Sequence, residues 1–280
     1  MTAVLKLGGE LLDDAAAMRG MAGAVGVLAR RGRLVVVHGG GRAIDAELRL
    51  RGLEPRFVDG LRITDRAALD TVVSVLAGRT NTAFIGALHA AGVCAVGLTG
   101  ADCGIGHARR VPLFTSAAGG TVDLGFVGQP DGGPVVLLHD LTALGYVPVV
   151  ASIGIAADGT LLNVNADTLA GHLAAELCAD RLVIAGATAG VLDQEGNTID
   201  PLGIDALETL IASGAAHSGM IAKLAACRAA IERGVGDVRI VAGQGVNDFD
   251  SAAGTRVMRV PAAAGANHHG PEGPVSGISR

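Results

Sequence analysis

The feature that most constrains the fold is the alternation of short aliphatic segments with longer segments of helical periodicity. The short segments are "AVLKL", "RLVVVHGGG", "VCAVGLTG", "YVPVVASIGI", "DRLVIAG" and "DVRIVAG". Strands that alternate with helices pair in parallel, because each helix returns the chain to the same edge of the sheet. With half of the residues hydrophobic and only 2% aromatic, the core must be aliphatic, as in a buried parallel sheet covered by helices. We therefore predict an α/β fold with an open, mainly parallel sheet.

Local patterns predict individual elements. Helices are expected over about 15–31, from about 43, over 66–92, near 135–145 and over about 166–178, and two more precede the last strand. The alternating segment "GTVDLGFVGQ" predicts a β-hairpin, and the Asp-Gly turn in "AADGTLLN" predicts another. Residues 262–280 are rich in Pro, Gly and Ser, which predicts a disordered tail. A weakly marked boundary falls near 178–182.

Composition argues against several classes of function. The net charge is −5, there is no basic tract and aromatic residues are rare, so we expect no nucleic-acid binding. No uninterrupted apolar run reaches the roughly 18 residues that span a bilayer, and no leader is recognised, so we expect a cytoplasmic protein without membrane contact. The histidines and cysteines show no metal-ligand spacing. Cys94 and Cys178 lie in apolar runs, which predicts reduced thiols in the core.

Lysine is almost absent from the chain. Of 22 basic residues two are lysine, Lys6 and Lys223, and the other 20 are arginine. A compact ammonium group is required where a point charge must fit beside a phosphate, a position that the larger guanidinium cannot take. Lys6 lies inside a predicted strand and leads into two glycines. Both lysines are therefore candidates for an anion site, although survival by chance is the alternative.

Two predicted strands end in glycines. "KLGGE" and "VVVHGGGRAID" each place glycines after a strand, and the second also opens a helix whose N-terminus favours an anion. Each run alone is equally consistent with a tight turn. Because adjacent parallel strands end at the same edge of the sheet, the two loops together favour a phosphate or ligand site there. No Walker A loop, G-x-G-x-x-G motif or nucleophile elbow occurs in the sequence.

A buried lysine requires a counter-charge, and "NVNADTLAGHL" offers Asp167 in the first turn of a helix. The alternative is an acid that only stabilises the helix dipole, with Asn165 as the N-cap. Arg62 in "VDGLRITD" is a candidate for binding a carboxylate, or else an ordinary surface arginine.

Seven motifs, taken in order, resemble those of the amino acid kinase family: "KLGG", "HGGG", "VDGLRITD", "LAGRTN", "GYVPVVASIG", "NVNAD" and "SGMIAK". The resemblance covers about residues 3–260 and implies a three-layer α-β-α sandwich. It further implies that residues 1–178 bind the amino acid and carry a dimer interface, and that residues 179–261 bind the nucleotide. The likeness is greatest to members that phosphorylate the side-chain carboxylate of N-acetyl-L-glutamate with ATP and Mg²⁺ in arginine biosynthesis. In those members Mg²⁺ is held mainly by the phosphates of the nucleotide.

The resemblance also implies residue roles. Lys6 and Lys223 match the lysines that hold the transferring phosphoryl group, and Asp167 matches the acid that orients both. Arg62 and Asn163 match residues that bind the acetylglutamate. The glycines that match those lining the phosphate path are Gly8, Gly9, Gly40 and Gly41, of which the last two also border the substrate. A carboxylate acceptor, with a pKa of about 4.3, is already ionised at neutral pH, so no general base is expected.

The sequence departs from the family pattern in places. Gly186 and Ala187 in "AGATAG" occupy positions where the family usually has a small hydroxyl residue and an acidic or amide residue. Thr82 replaces the lysine that usually follows Asn81, and Ser218 replaces the aspartate that usually precedes "GMIAK". These changes imply an altered nucleotide affinity. The chain starts at its first strand, without an N-terminal helical extension, which implies an arginine-insensitive homodimer. A kinase for an N-blocked aminoadipate and a catalytically silent amino-acid-binding module are the alternatives.

Overall fold

The structure, a computed structural model, describes residues 1–111, 113–116, 119–193, 195–212 and 218–259. The strands are Thr2–Leu7 (β1), Arg33–His38 (β2), Phe57–Val58 (β3), Leu61–Arg62 (β4), Ala95–Thr99 (β5), Ala108–Arg110 (β6), Leu113–Thr115 (β7), Thr121–Asp123 (β8), Val127–Pro130 (β9), Val147–Ala151 (β10), Ile153–Ile155 (β11), Leu161–Val164 (β12), Arg181–Gly186 (β13), Leu202–Gly203 (β14), Asp237–Ala242 (β15) and Gly254–Met258 (β16). The predicted disordered tail, 262–280, lies outside the described residues.

The α-helices are Ala15–Ala29 (α1), Gly41–Leu50 (α2), Arg66–Val73 (α3), Asn81–Ala90 (α4), Val136–Ala143 (α5), Ala166–Glu176 (α6), Ile204–Ala212 (α7) and Ser218–Glu232 (α8). A 3₁₀ turn follows β1 at Gly9–Leu12. The helix predicted over 66–92 is present, and its central part, Ser74–Thr80, is π-helical. None of the helices in the described ranges is long and apolar enough to cross a membrane.

The main sheet has the strand order β14-β16-β15-β13-β1-β2-β10-β5. Its pairs are parallel except for β16, which runs antiparallel to β15 at one side. The sheet crosses residue 178 without interruption, because β13 pairs directly with β1. The predicted α/β class with a mainly parallel sheet is confirmed.

Helices cover both faces of the sheet. Side chains alternate along β1, so Leu5 and Leu7 pack with α1 and α4, whereas Val4 packs with α5, α6 and α8 on the other face. Lys6 follows the same alternation and lies on the α6 face. Its neighbours in register are Val37 of β2 and Ile184 of β13. The lysine therefore lies in the middle of the sheet, near the carboxyl ends of the strands.

A second sheet has the strand order β11-β12-β9-β6. The predicted Asp-Gly hairpin is confirmed by the antiparallel pairing of β11 with β12. The hairpin predicted within "GTVDLGFVGQ" is wrong: β8 pairs with β7, whereas β9 pairs with β6 and β12. Alternation shows that both segments are half-exposed strands, but it does not determine which strand each one pairs with.

The cysteines also differ from expectation. All four are free thiols, but Cys94 and Cys178 are exposed, and Cys227 is the buried one. Cys94 precedes β5 and Cys178 follows α6, so both lie where the chain leaves the core. Hydrophobic neighbours in sequence therefore did not place these two side chains in the core.

Candidate active site

The two lysines meet at one carboxylate. Lys6 Nζ lies 2.9 Å from Asp167 Oδ1, and Lys223 Nζ, from α8, lies 3.7 Å from Asp167 Oδ2. The side chains of Lys6 and Asp167 are each 7% exposed, and that of Lys223 is 16% exposed. Two ammonium groups beside one carboxylate leave a surplus positive charge in a poorly solvated place. Such a surplus favours the binding of an anion.

Local structure fixes Asp167. Asn165 is the N-cap of α6, and its Oδ1 accepts hydrogen bonds from the N–H groups of Asp167 (2.9 Å) and Thr168 (3.1 Å). The predicted cap is therefore present. Both interpretations of Asp167 are correct. It is an acid in the first turn of α6, where it favours the helix dipole, and it also pairs with the two lysines.

The two glycine loops touch each other. A Cβ on Gly9 would lie 2.6 Å from Gly40 Cα, so a side chain at position 9 has no space. Gly40 is the N-cap of α2, and no described side chain caps that helix. The first N–H groups of a helix have no intrahelical acceptor, so those of α2 are available to an anion.

Gly8 is placed differently from the other predicted glycines. Its N–H donates to Ala185 O of β13 at 2.9 Å, so this amide is already used within the protein. Gly9, Gly40 and Gly41 line the cleft, whereas Gly8 is not among the residues that line it.

Arg62 is delivered by a tight hairpin. Strands β3 and β4 are joined by Asp59 and Gly60, with φ angles of 46° and 80°, the left-handed pair that a two-residue hairpin turn requires. Arg62 Nη2 lies 2.6 Å from Asp45 Oδ1, and the guanidinium lies over the Phe57 ring at 4.6 Å. Arg62 is a buried residue, and its Nη1 has no hydrogen-bond partner among the described residues. The two N–H groups of Nη1 are thus available to a ligand.

Asn163 lies at the same cleft, on β12. Its Nδ2 donates to Thr64 Oγ1 at 3.0 Å. The cleft has a volume of about 210 Å³. It is lined on one side by Lys6, Asp167 and the glycine loops, and on the other by Arg62 and Asn163. Lys223 contacts Asp167 from α8 and does not line the cleft. The structure thus brings Lys6, Asp167 and Arg62 to one small cavity.

Sequence reasoning missed the partners of these residues. Asp45, which pairs with Arg62, lies on α2 and has no local signal. Glu10 is a second residue that the sequence did not indicate. Its Oε1 accepts a hydrogen bond from the N–H of Ala187 at 3.0 Å. A Cβ on Gly186 would lie 3.4 Å from Glu10 Oε1 and 3.5 Å from Lys223 Cε. The carboxylate of Glu10 therefore occupies the space beside the two small residues of the "AGATAG" segment.

His38, at the end of β2, belongs to the "HGGG" motif. It is fully buried, and burial lowers the pKa of its imidazole to about 4, although a hydrogen bond to Gly39 O opposes that shift. Asn81 is its neighbour, with Nδ2 3.1 Å from His38 Nε2. The signal that could have found the pair is the presence of two polar side chains inside otherwise apolar segments.

Among the described residues, no group of three or more His, Cys, Asp or Glu is arranged to hold a metal ion. The polar groups at the cleft are instead cations, backbone amides and one shared carboxylate. Together they form a site suited to a small anion at the carboxyl edge of a parallel sheet, the edge where α/β folds bind ligands.

Comparison with known proteins agrees with a site of this kind. The sequence profile of the amino acid kinase family matches residues 1–242. The acetylglutamate kinase of Acidiphilium cryptum (strain JF-5) is 40% identical over 248 residues, which are 87% of this chain and 83% of that protein. The acetylglutamate kinase of Koribacter versatilis (strain Ellin345) is 40% identical over 242 residues, 86% and 90% of the two chains. The chain belongs to the amino acid kinase family, and it is a kinase.

Solved structures show the same fold at lower identity. N-acetylglutamate synthase from Neisseria gonorrhoeae, complexed with coenzyme A and N-acetyl-glutamate, superposes with a TM-score of 0.80 at 23% identity, over 93% of this chain and 60% of that one. Carbamate kinase from Giardia lamblia bound to AMP-PNP superposes with a TM-score of 0.63 at 14% identity, over 92% and 98% of the two chains.

Proposed function

We propose that this kinase transfers a phosphoryl group from ATP to the side-chain carboxylate of N-acetyl-L-glutamate, a step of arginine biosynthesis. The observation that carries the proposal is the position of Asp167 between Lys6 and Lys223, at the wall of a cavity that also contains Arg62. The names of the relatives at 40% identity support the same acceptor.

The cavity suits a small diacid. Its volume of about 210 Å³ lies below the range for drug-sized ligands, so a compact metabolite fits it. Arg62 has a buried, unpartnered Nη1 that would donate to the α-carboxylate, since hydrogen bonds between a guanidinium and a carboxylate are strengthened by their opposite charges. Asn163 would hydrogen-bond the same substrate. The side-chain carboxylate would then face Lys6 and the glycine loops.

The reaction requires charge neutralisation more than proton transfer. A carboxylate nucleophile is ionised at neutral pH, since its pKa is about 4.3. Lys6 and Lys223 would stabilise the charge on the transferring phosphoryl group, and Asp167 would hold the two ammonium groups in place. The N–H groups of Gly9, Gly40 and Gly41 would add fixed dipoles.

ATP would bind on the side of residues 179–261, near α8 and the Gly186–Ala187 segment, and residues 1–178 would bind the amino acid. Mg²⁺ would be held chiefly by the nucleotide phosphates, because it usually retains waters and binds through phosphate oxygens. When bound, it supplies further neutralisation of the phosphate charge. We also propose a cytoplasmic homodimer, and sedimentation of the full chain tests the dimer.

Steady-state kinetics with two acids tests the acceptor. We expect kcat/KM to be higher for N-acetyl-L-glutamate than for N-acetyl-L-aminoadipate by roughly 10- to 200-fold, the value of one methylene in a fitted pocket. A higher value for the longer acid would overturn the proposed acceptor. If MgATP binding is not detected by calorimetry and no ADP forms with either acid, the protein is an amino-acid-binding module instead.

A further inference from the structure

His38 and Asn81 form a buried polar pair directly behind the second glycine loop. His38 is the last residue of β2 and is 0% exposed, and Asn81, the first residue of α4, is 4% exposed. Neither side chain is among the residues that line the cleft. A buried polar group is costly unless it is hydrogen-bonded, so a pair of this kind in an aliphatic core requires a structural or functional reason.

The hydrogen bonds determine which ring nitrogen of His38 carries the proton. His38 Nδ1 lies 3.1 Å from Gly39 O, which can only accept, so Nδ1 must donate. Asn81 Nδ2 lies 2.9 Å from Val149 O and 3.3 Å from Leu98 O, and these carbonyl partners identify it as the amide nitrogen. This nitrogen carries two N–H groups, and its two shortest contacts are Val149 O and His38 Nε2, the latter at 3.1 Å, so the second N–H donates to His38 Nε2. The imidazole is neutral, with its proton on Nδ1.

This arrangement fixes the direction of an amide in the glycine loop that lines the cleft. The peptide between Gly39 and Gly40 is trans and planar, so its C=O and N–H point in opposite directions. His38 holds the carbonyl on the buried side. The N–H of Gly40 must then point away from the imidazole, and Gly39, Gly40 and Gly41 line the cleft.

The π-helical segment Ser74–Thr80 secures the same loop from a second direction. A Cβ on Gly40 would lie 2.8 Å from Leu76 Cδ2, so Leu76 packs directly against the Gly40 backbone. Asn81 follows the segment immediately. π-helical turns inside longer helices are frequent at functional sites. Here Leu76 lies within the π-helical segment and Asn81 follows it, so one contacts the loop and the other contacts His38.

We propose that His38 and Asn81 are positioning residues for phosphoryl transfer, which hold the Gly39 carbonyl and thereby aim the Gly40 amide at the reacting anion. This inference rests on the proposed function of the cleft. It adds a structural reason for the "HGGG" and "LAGRTN" motifs, which lie about 40 residues apart in the sequence and meet behind the loop.

Two substitutions of His38 separate the two hydrogen bonds. His38→Asn keeps a donor near the position of Nδ1 and so retains the bond to Gly39 O. His38→Gln keeps an acceptor near the position of Nε2 and loses that bond. We expect kcat to fall about 100-fold in His38→Gln, the cost of a misplaced reacting group, and to fall clearly less in His38→Asn. The calorimetric affinity for MgATP should change by less than about twofold, as the peptide in question does not belong to the proposed nucleotide side. His89→Gln, at an exposed histidine, is the matched control.

Equal kcat in the two His38 variants, or loss of MgATP affinity in proportion to kcat, would overturn the inference. If His38→Gln does not fold, Asn81→Ser replaces it and should lower kcat with MgATP affinity unchanged. Nitrogen-15 NMR of the wild-type histidines gives an independent readout, in which His38 should be the Nδ1–H tautomer. An Nε2–H tautomer would contradict the geometry. Failure of the wild type to phosphorylate acetylglutamate would overturn the proposed function and leave the tautomer result standing.

Discussion

Lys6 Nζ lies 2.9 Å from Asp167 Oδ1, with both side chains 7% exposed. The lysine comes from the centre of the sheet and the aspartate from the first turn of α6, so the pair connects the two layers at the carboxyl edge. A buried pair of this kind is weak support for stability, because the loss of solvation offsets much of the attraction between the charges. We attribute its position beside Lys223 and the glycine loops to the proposed role in phosphoryl transfer.

Lys6→Arg should lower kcat by about 100- to 1,000-fold, the effect of removing one electrostatic donor from a transition state. The charge is kept, but the larger guanidinium cannot occupy the place of a compact ammonium group beside Asp167. KM for acetylglutamate and MgATP should change far less than kcat. Arg19→Lys, at an exposed position of α1, is the control for the reverse exchange. Near-normal kcat in Lys6→Arg would refute the role of Lys6.

Asp167→Asn should abolish activity and lower the free energy of unfolding by about 3–5 kcal/mol, because the buried ammonium group of Lys6 and the partly buried one of Lys223 lose their counter-charge. Urea unfolding of the variant measures the second effect. Asp70→Asn, at an exposed position of α3, should change stability by less than about 0.5 kcal/mol. Unchanged stability in Asp167→Asn would show that the lysines are neutral or solvated in the folded protein.

Arg62→Ala should raise KM for acetylglutamate by roughly 10- to 100-fold, the value of a hydrogen bond between charged groups. MgATP affinity should remain close to that of the wild type, because Arg62 lies in the part of the cleft proposed to bind the amino acid. Arg56→Ala removes an exposed arginine that pairs with Asp65 at 3.0 Å and should leave KM unchanged. An equal loss of MgATP affinity in Arg62→Ala would contradict the assigned side.

Gly9→Ala should destabilise the protein by about 1–3 kcal/mol and impair turnover, because its Cβ would lie 2.6 Å from Gly40 Cα. Gly23→Ala offers the matched control. Gly23 is exposed in the middle of α1 and has no atom within 4 Å of an added Cβ. That change should raise the free energy of unfolding by about 0.5–1 kcal/mol. If the two substitutions change the free energy of unfolding equally, the Gly9 and Gly40 loops are not in contact.

His38 should make stability depend on pH. In the unfolded chain its pKa is about 6.5, and burial lowers it to about 4 in the folded protein. Above about pH 6.5 His38 is neutral in both the folded and the unfolded state, so the free energy of unfolding has its full value. As pH falls from 6.5 to about 4 the unfolded state binds the proton first, and roughly 3 kcal/mol is lost. His38→Asn should reduce this loss in urea titrations at successive pH values, whereas His89→Gln should retain it.

The sheet and the charged centre could be predicted because their signals are local. Aliphatic runs mark β1, β2, β10, β13 and β15, and parallel pairing brings their ends to one edge. The scarcity of lysine identified Lys6, and the first turn of α6 identified Asp167. Both inferences depend only on residue type and the position in an element.

What could not be predicted depends on contacts between distant segments. The pairing of Arg62 with Asp45 and the packing of Asn81 against His38 join residues 17 and 43 positions apart. The partners of β8 and β9 are set by the tertiary structure, since their alternation is compatible with several neighbours. The use of the Gly8 amide by Ala185 O likewise follows from the pairing of β1 with β13.

Trapping of the acyl phosphate tests the central claim most directly. The full-length protein is incubated with MgATP, N-acetyl-L-glutamate and hydroxylamine, which converts an acyl phosphate to a stable hydroxamate. We expect hydroxamate equal in amount to the ADP released, with Asp167→Asn producing none. ADP release without hydroxamate, or hydroxamate at the same level when acetylglutamate is omitted, would contradict phosphorylation of the acetylglutamate carboxylate.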